Sequence, residues 1–480
     1  MKDDSSIASL AAVLRGLTEG LRPGDRLPSS RELVRAHGVS PVTVSRALAV
    51  LAAEGRVVTR PGSGTYVARP AAPRGESADL SWQTVALGDR VVDDSGVVPL
   101  LMPPLTPFAD DNAIPLTSGY LNPALSPAKA LTAAATRAVR RAASWGMPPL
   151  SGIPELRRWF AAEAGGDVTP ADVVIAGGGQ AALTHALRAL AASGAPVLVE
   201  TPTYPGALAA ARTLGLRAHP VPIDRYGVRP DLLAEAFAIT GARVFYCQPG
   251  PHNPTGAVLP RDRREQVLAV ARAAGAFVIE DDYARYLSAA PLPPSMVTLD
   301  THGTVVHVNS LSKAVAPSLR VAGVTARGPA AHRLRAAQVV ESFFVARPLQ
   351  ETVVELTGSP AWGRHIAAMA AQIAARRDAL VASLAARAPE LEIHHIPQGG
   401  LHLWLRLPPD LDDAALVDAA RREGVLISPG RIFYPAEPPG PYIRVTHIAA
   451  AHTTELDEGV RRLAVALRLS TARTGGPVVP

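Results

Sequence analysis

Lys313, in the stretch SLSKAVAPSLRVAG, is one of only three lysines in the chain, with Lys2 and Lys129, against an overwhelmingly arginine background. Arginine stays protonated, whereas a lysine amine in a suitable pocket loses its proton and attacks a carbonyl. Other residues of chemical interest surround it in the sequence. GGGQAAL follows an apolar run and opens a helical one, so the backbone N–H groups of Gly179, Gln180 and Ala181 could hold a phosphate; a plain tight turn is the alternative. VIEDDYARY ends a strand-like run in acids, which are either solvated carboxylates or a buried charge beside a cationic partner.

These residues need a scaffold, and the chain supplies two kinds. Up to residue 70 the patterns are helical and punctuated. A helix over 7–21 ends at PGD, a second starts at Ser29 or Ser30 and stops at Gly38, and a third has Ser40 as N-cap, Pro41 at its first position and Gly55 as its stop. Two short helices around a tight turn, followed by RVVTRPGSGTYVA as two strands and a Pro-Gly-Ser-Gly turn, predict a winged helix-turn-helix over 1–69. Residues 70–112 are Pro-rich and read as linker plus arm. From 113 to 470, helical stretches alternate with runs such as VVIAGGG, PVLVETP, ARVFYCQP, AFVIEDD and TVVHVNS. That alternation predicts an α/β fold with a mostly parallel sheet, and 471–480 reads as a tail.

Composition narrows the function classes. With 480 residues, 48% hydrophobic and 19% charged, the chain can form two or three globular domains. Ten Lys/Arg against six Asp/Glu in the first 70 residues put +4 of the net +6 there, which suits either a polyanion partner for that segment alone or a solvated surface. A single cysteine, Cys247, excludes an internal disulfide framework and suits a reducing cytoplasm. The 13 histidines show no metal-ligand spacing, so no metal is expected. The first residues lack the apolar core of a signal peptide, and no run approaches 18 uncharged apolar residues, so no membrane partner is expected.

The stretch from Leu21 to Val67, through PGDRLPSSREL, GVSPVTVSRAL and RPGSGTYV, resembles the winged helix of GntR-type bacterial regulators. By that resemblance the partner is double-stranded operator DNA. Arg31, Ser40, Thr43, Ser45 and Arg46 face it, with Gly62 and Ser63 at the wing tip. If the resemblance misleads, Arg31 and Arg46 are plain surface charges.

Residues 113–469 resemble fold-type I aminotransferases in the form found in the MocR subfamily of GntR regulators. The resemblance implies pyridoxal 5'-phosphate (PLP) as cofactor and a Schiff base at Lys313, with Ser310, Ser312 and Arg320 on the phosphate beside Gly179, Gln180 and Ala181. Tyr204 of TPTYPG would stack on the pyridine ring. Asn253 of PHNPTG and Tyr283 would bond its phenolic oxygen, and Asp281, two residues before that Tyr, would meet the ring nitrogen. Arg444 of GPYIRVTHIA would grip a ligand carboxylate; a structural ion pair is the other use of a strand arginine. The resemblance further implies a homodimer and a PLP or amino-compound effector.

Two positions depart from the pattern. Pro41 stands where many relatives carry Arg. Met147 stands where relatives usually have the Tyr that reaches a neighbouring subunit's phosphate, so the cofactor is held less tightly or Trp145 compensates. The rival readings are a working aminotransferase with an appended DNA-binding domain, and a dimerisation module without cofactor.

Overall fold

The computed structural model describes residues 2–60, 63–68 and 113–474, which fall into two compact units. The expected linker over 70–112 and the wing residue Gly62 lie outside the described residues.

The small unit is built by local signals. Helix α1 (Lys2–Glu19) begins five residues before the expected start. Helix α2 (Ser30–His37) is capped by Ser29, whose Oγ accepts from Glu32 N while Glu32 Oε2 accepts from Ser29 N at 2.7 Å. Gly38 closes α2 with φ 62°, a left-handed turn that favours glycine. Ser40 caps α3 (Pro41–Ala53), with Pro41 at the first position. Strands β1 (Val57–Arg60) and β2 (Gly64–Val67) pair antiparallel as the wing, Val57 opposite Val67. Leu10, Leu14, Leu33, Val44, Leu48, Leu51 and Val57 form one buried cluster, and Arg15 ties α1 to the end of α3 through Glu54 at 2.5 Å.

The large unit opens with a short strand, β3 (Ile114–Pro115). Its main sheet contains β4 (Val173–Ala176), β5 (Pro196–Thr201), β6 (Arg217–Asp224), β7 (Gly227–Val228), β8 (Val244–Cys247), β9 (Phe277–Asp281), β10 (Val305–Ser310) and β11 (Ala322–Thr325), in the order β4-β11-β10-β9-β8-β5-β6-β7. The core strands β10, β9, β8, β5 and β6 run parallel, as expected; β11 lies antiparallel to both its neighbours. Residues alternate between two faces. Val199, Tyr246, Ile279 and Val308 pack on Leu183 and Leu187 of helix α4 (Gly179–Leu190), and Leu198, Phe245, Val278 and Val305 pack on Leu233, Phe237 and Val267. Burial on both faces explains why these strands read as continuous apolar runs.

A second, antiparallel sheet follows, with β12 (Glu392–Ile393), β13 (His402–Arg406), β15 (Ser428–Pro429) and β16 (Tyr442–Thr446) in the order β12-β13-β16-β15; β14 (Val425–Leu426) pairs instead with β3. The final helix, Thr453–Thr474, continues past the expected start of the tail at 471. Among the described residues no helix is long and apolar enough to cross a membrane.

Candidate functional site

Five strands of the main sheet deliver side chains from their carboxyl ends, where an open α/β sheet leaves a crevice. The turn after β4 leads into α4, the turn after β5 carries Tyr204, that after β8 carries Asn253, β9 ends at Asp281, and β10 runs into Ser310, Ser312 and Lys313. Arg444 comes from β16 of the second sheet.

The phosphate-sized end lies at the start of α4. The N–H groups of Gly179, Gln180 and Ala181 belong to its first turn and have no intrahelical acceptor; Gly179 N donates instead to Ser310 Oγ at 3.2 Å. Arg320 Nη1 donates to Ser312 Oγ at 3.2 Å. Gly178 has φ 92°, and a Cβ there would sit 2.6 Å from the Arg320 guanidinium, so this close approach requires glycine. Arg320 itself holds φ 46°, which costs about 1 kcal/mol or more for a non-glycine residue and turns its guanidinium into the cradle.

At the opposite end, Asp281 Oδ2 accepts from Tyr246 Oη at 2.7 Å and Gln248 Nε2 at 2.8 Å. Burial raises its carboxyl above the usual range, and no cation lies within ion-pair distance among the described residues. Its neighbour Asp282 differs: His307 Nε2 at 3.1 Å and Arg285 Nη1 at 3.0 Å engage it, and despite its burial these bonds and charges hold it below the usual range. The two adjacent acids therefore have different uses, and the unpaired one is the residue selected by its spacing from Tyr283.

Lys313 lies between these ends. Burial first, then the charges of Arg444 and Arg320, pull its amine down to about 7. Its Nζ stands 3.4 Å from the centroid of the Tyr120 ring. A Cβ at Gly119 would come within 3.3 Å of that nitrogen, so glycine keeps the approach open. Tyr204 Oη donates to Gln180 Oε1 at 3.1 Å, and Gln180 Nε2 donates to Gly206 O at 2.9 Å. Any Cβ at Gly206 would strike the Tyr204 ring at 2.3 Å, which accounts for the glycine of TPTYPG. Tyr283 Oη donates to Pro251 O at 2.8 Å, and burial raises its phenol.

Arg444 is buried, with a guanidinium lowered to about 10, chiefly by burial. It donates to Asn253 Oδ1 at 3.0 Å, Thr117 O at 2.8 Å and Ser428 Oγ at 3.3 Å, and it rests over the Phe433 ring. No carboxylate pairs with it among the described residues, which removes the structural ion pair as its use. His402 Nε2 approaches it at 3.5 Å, and burial beside Arg444, His447 and Lys313 keeps that imidazole neutral.

In the small unit, Arg31, Ser40, Ser45 and Arg46 are exposed, as is Ser63 in the wing turn. Thr43 corrects the expectation that it faces DNA: it is buried, its N–H donates to Ser40 Oγ at 3.1 Å, and its hydroxyl shares a 2.9 Å bond with Ser40. The cap draws it inward. Met147 and Trp145 are exposed, and the Trp145 N–H is spent on Val139 O at 3.2 Å. Sequence reasoning missed Tyr120, Tyr246, Gln248 and His402. In the wing it missed the Arg60 guanidinium, 5.1 Å above the Tyr66 ring.

Comparison with known proteins assigns a family to each unit. Residues 112–463 match the family "Aminotransferase class I and II", and residues 15–67 match "Bacterial regulatory proteins, gntR family". The HTH-type transcriptional regulator YdcR of Escherichia coli (strain K12) is 30% identical over 426 residues, covering 87% of this chain and 89% of its own length. The chain belongs to the GntR-type regulators that carry an aminotransferase domain, the MocR type. Another relative is the HTH-type transcriptional regulator TauR of Rhodobacter capsulatus, 29% identical with 95% of each chain covered. The crystal structure of LysN, an alpha-aminoadipate aminotransferase from Thermus thermophilus complexed with N-(5'-phosphopyridoxyl)-L-leucine, superposes with a TM-score of 0.75 at 28% identity, over 82% of this chain and all of that one. The aminotransferase fold implies PLP, and the residues fit it: a cradle that any Cβ at Gly178 would fill, an uncompensated Asp281 and a reactive amine.

Proposed function

We propose that this chain is a cytoplasmic homodimeric transcription regulator in which residues 1–69 bind operator DNA and residues 113–470 sense PLP or an amino-compound ligand, with 70–112 as linker. The observation that carries the sensing part is the Lys313 amine, lowered to about 7 and held between the cradle of Gly178 and Arg320 and the unpaired acid Asp281.

Bound in this pocket, PLP supplies an aldehyde that condenses with amines and a ring that withdraws electrons. Lys313 would offer the amine for that condensation. Gly179, Gln180, Ala181, Ser310, Ser312 and Arg320 would hold the phosphate, Tyr204 would support the ring, Asn253 and Tyr283 would serve the phenolic oxygen, and Asp281 would offer its carboxylate to the ring nitrogen. Arg444 receives the ligand's carboxylate, replacing neutral acceptors with a charge. Exposed Val139, Trp145, Met147 and Leu150 give a face that a second copy would cover, which supports the dimer. In the small unit, exposed Arg31 and Arg46 and the α3 N-terminus suit phosphates and a base edge.

The test is borohydride reduction of the PLP-loaded protein followed by peptide mapping. The label is expected on Lys313; a label on Lys129 or Lys2 overturns the assignment. Adding an amino-acid panel to the loaded protein separates sensing from turnover. A spectral shift without keto-acid release supports a sensor, and sustained release supports a working aminotransferase.

A further inference from the structure

Gln248 makes one bond to each of two proposed cofactor contacts. Its side-chain Nε2 donates to Asp281 Oδ2 at 2.8 Å, and its Oε1 accepts from the backbone N of Asn253 at 3.1 Å. Its own backbone N donates to Glu200 Oε2 at 2.7 Å, and Glu200 is buried beside His252. The side-chain amide is thus held by two bonds and the backbone by a third, in a buried position at the exit of β8.

Both donors to Asp281, Gln248 and Tyr246, converge on the same oxygen. Oδ1 receives no hydrogen bond from any described residue, so it is the oxygen left for a partner from outside the chain. Hydrogen bonds to an ionised carboxylate favour its charged form, and here two of them oppose the desolvation of a buried acid. Without them burial would raise the carboxyl further, toward its neutral form.

Resting on the cofactor reading above, we infer that Gln248 is a positioning residue that keeps Asp281 charged and directs its free oxygen to the ring nitrogen of PLP, with Tyr246 as the second support. The path runs from Gln248 through Asp281 to that nitrogen. Its effect therefore depends on the nitrogen being present.

The experiment measures affinity of the full-length apo-protein for PLP and for its 1-deaza analogue, in which carbon replaces the ring nitrogen. Gln248→Met, nearly equal in volume and without the amide, is expected to weaken PLP binding about tenfold and to leave the analogue's affinity unchanged. Tyr246→Phe is expected to shift PLP in the same direction. Adding Gln248→Met to Asp281→Asn should cost nothing further. Equal losses for both cofactors, or a further loss on the Asp281→Asn background, would overturn the role. Wild-type protein that binds neither cofactor would take down the cofactor reading itself, a result distinct from the loss of discrimination.

Discussion

The residues proposed to meet DNA and those proposed to meet the cofactor are held in opposite ways. In the small unit, Arg31, Ser45 and Arg46 project from helices whose ends are set by neighbours: Ser29 with Glu32, Gly38, and Ser40 with Pro41. Those functional side chains are exposed and can change without disturbing the fold. In the large unit, Asp281, Asn253 and Arg444 are buried and held by partners up to 327 residues away. Among the described residues Arg444 lacks a carboxylate and Asp281 a cation within ion-pair distance, and Lys313 feels the charges of Arg444 and Arg320. Burying such groups unpaired is costly, and a fold that retains three of them together stores that cost for a ligand.

The sharpest break of this comparison is at the pocket. Lys313→Ala should abolish the visible-edge absorption band of the loaded protein completely. The thermal midpoint of the cofactor-free chain should not fall, because the change removes an amine repelled by Arg444 and Arg320. A large drop in stability would show that Lys313 is structural. Next, Arg444→Ala should weaken the spectral response to carboxylate-bearing amines by about 2–5 kcal/mol while PLP is still bound, read by titrating the loaded protein. Unchanged ligand affinity would remove Arg444 from the clamp.

In the small unit the effects are smaller and confined to DNA. Arg46→Ala should reduce operator affinity by about 1–3 kcal/mol if it reads a base, and less if it touches phosphate, with thermal stability unchanged. A mobility assay at fixed salt checks this. The mildest effect is one of pH. Lys313 attacks as the neutral amine, and its value is about 7. Uptake of PLP by the apo-protein should therefore level off above that pH and slow roughly tenfold for each unit below it. A rate that keeps rising to pH 10 would mean an ordinary, solvated lysine.

The same contrast decides what could be read from the sequence. Caps and stops are local chemistry, so Gly38, Ser40 and Pro41 marked the helix ends directly. The strands VVIAGGG, ARVFYCQP and TVVHVNS were visible because burial on both faces leaves unbroken apolar runs. Lys313 stood out by its rarity, and Asp281 through the family resemblance, which implies an acid two residues before Tyr283. Thr43 was misplaced because its proximity to the cap, not its polarity, governs its direction. Gln248 and Tyr246 were missed because their roles depend on strand β8 lying beside β9, a pairing between segments more than thirty residues apart. Tyr120 precedes the Lys313 it touches by almost two hundred residues, and no spacing rule connects them.

The central claim is that the state of the Lys313 pocket sets the strength of DNA binding in the small unit. A ligand shifts such an equilibrium only through different affinities for the two states. The direct measurement is operator affinity at one fixed salt concentration for the apo-protein, the PLP-loaded protein and Lys313→Ala with PLP present. Apo and loaded protein are expected to differ by about fivefold or more, with Lys313→Ala matching the apo-protein. Equal affinity in all three would contradict the claim and leave a DNA-binding protein whose aminotransferase fold does not report to it.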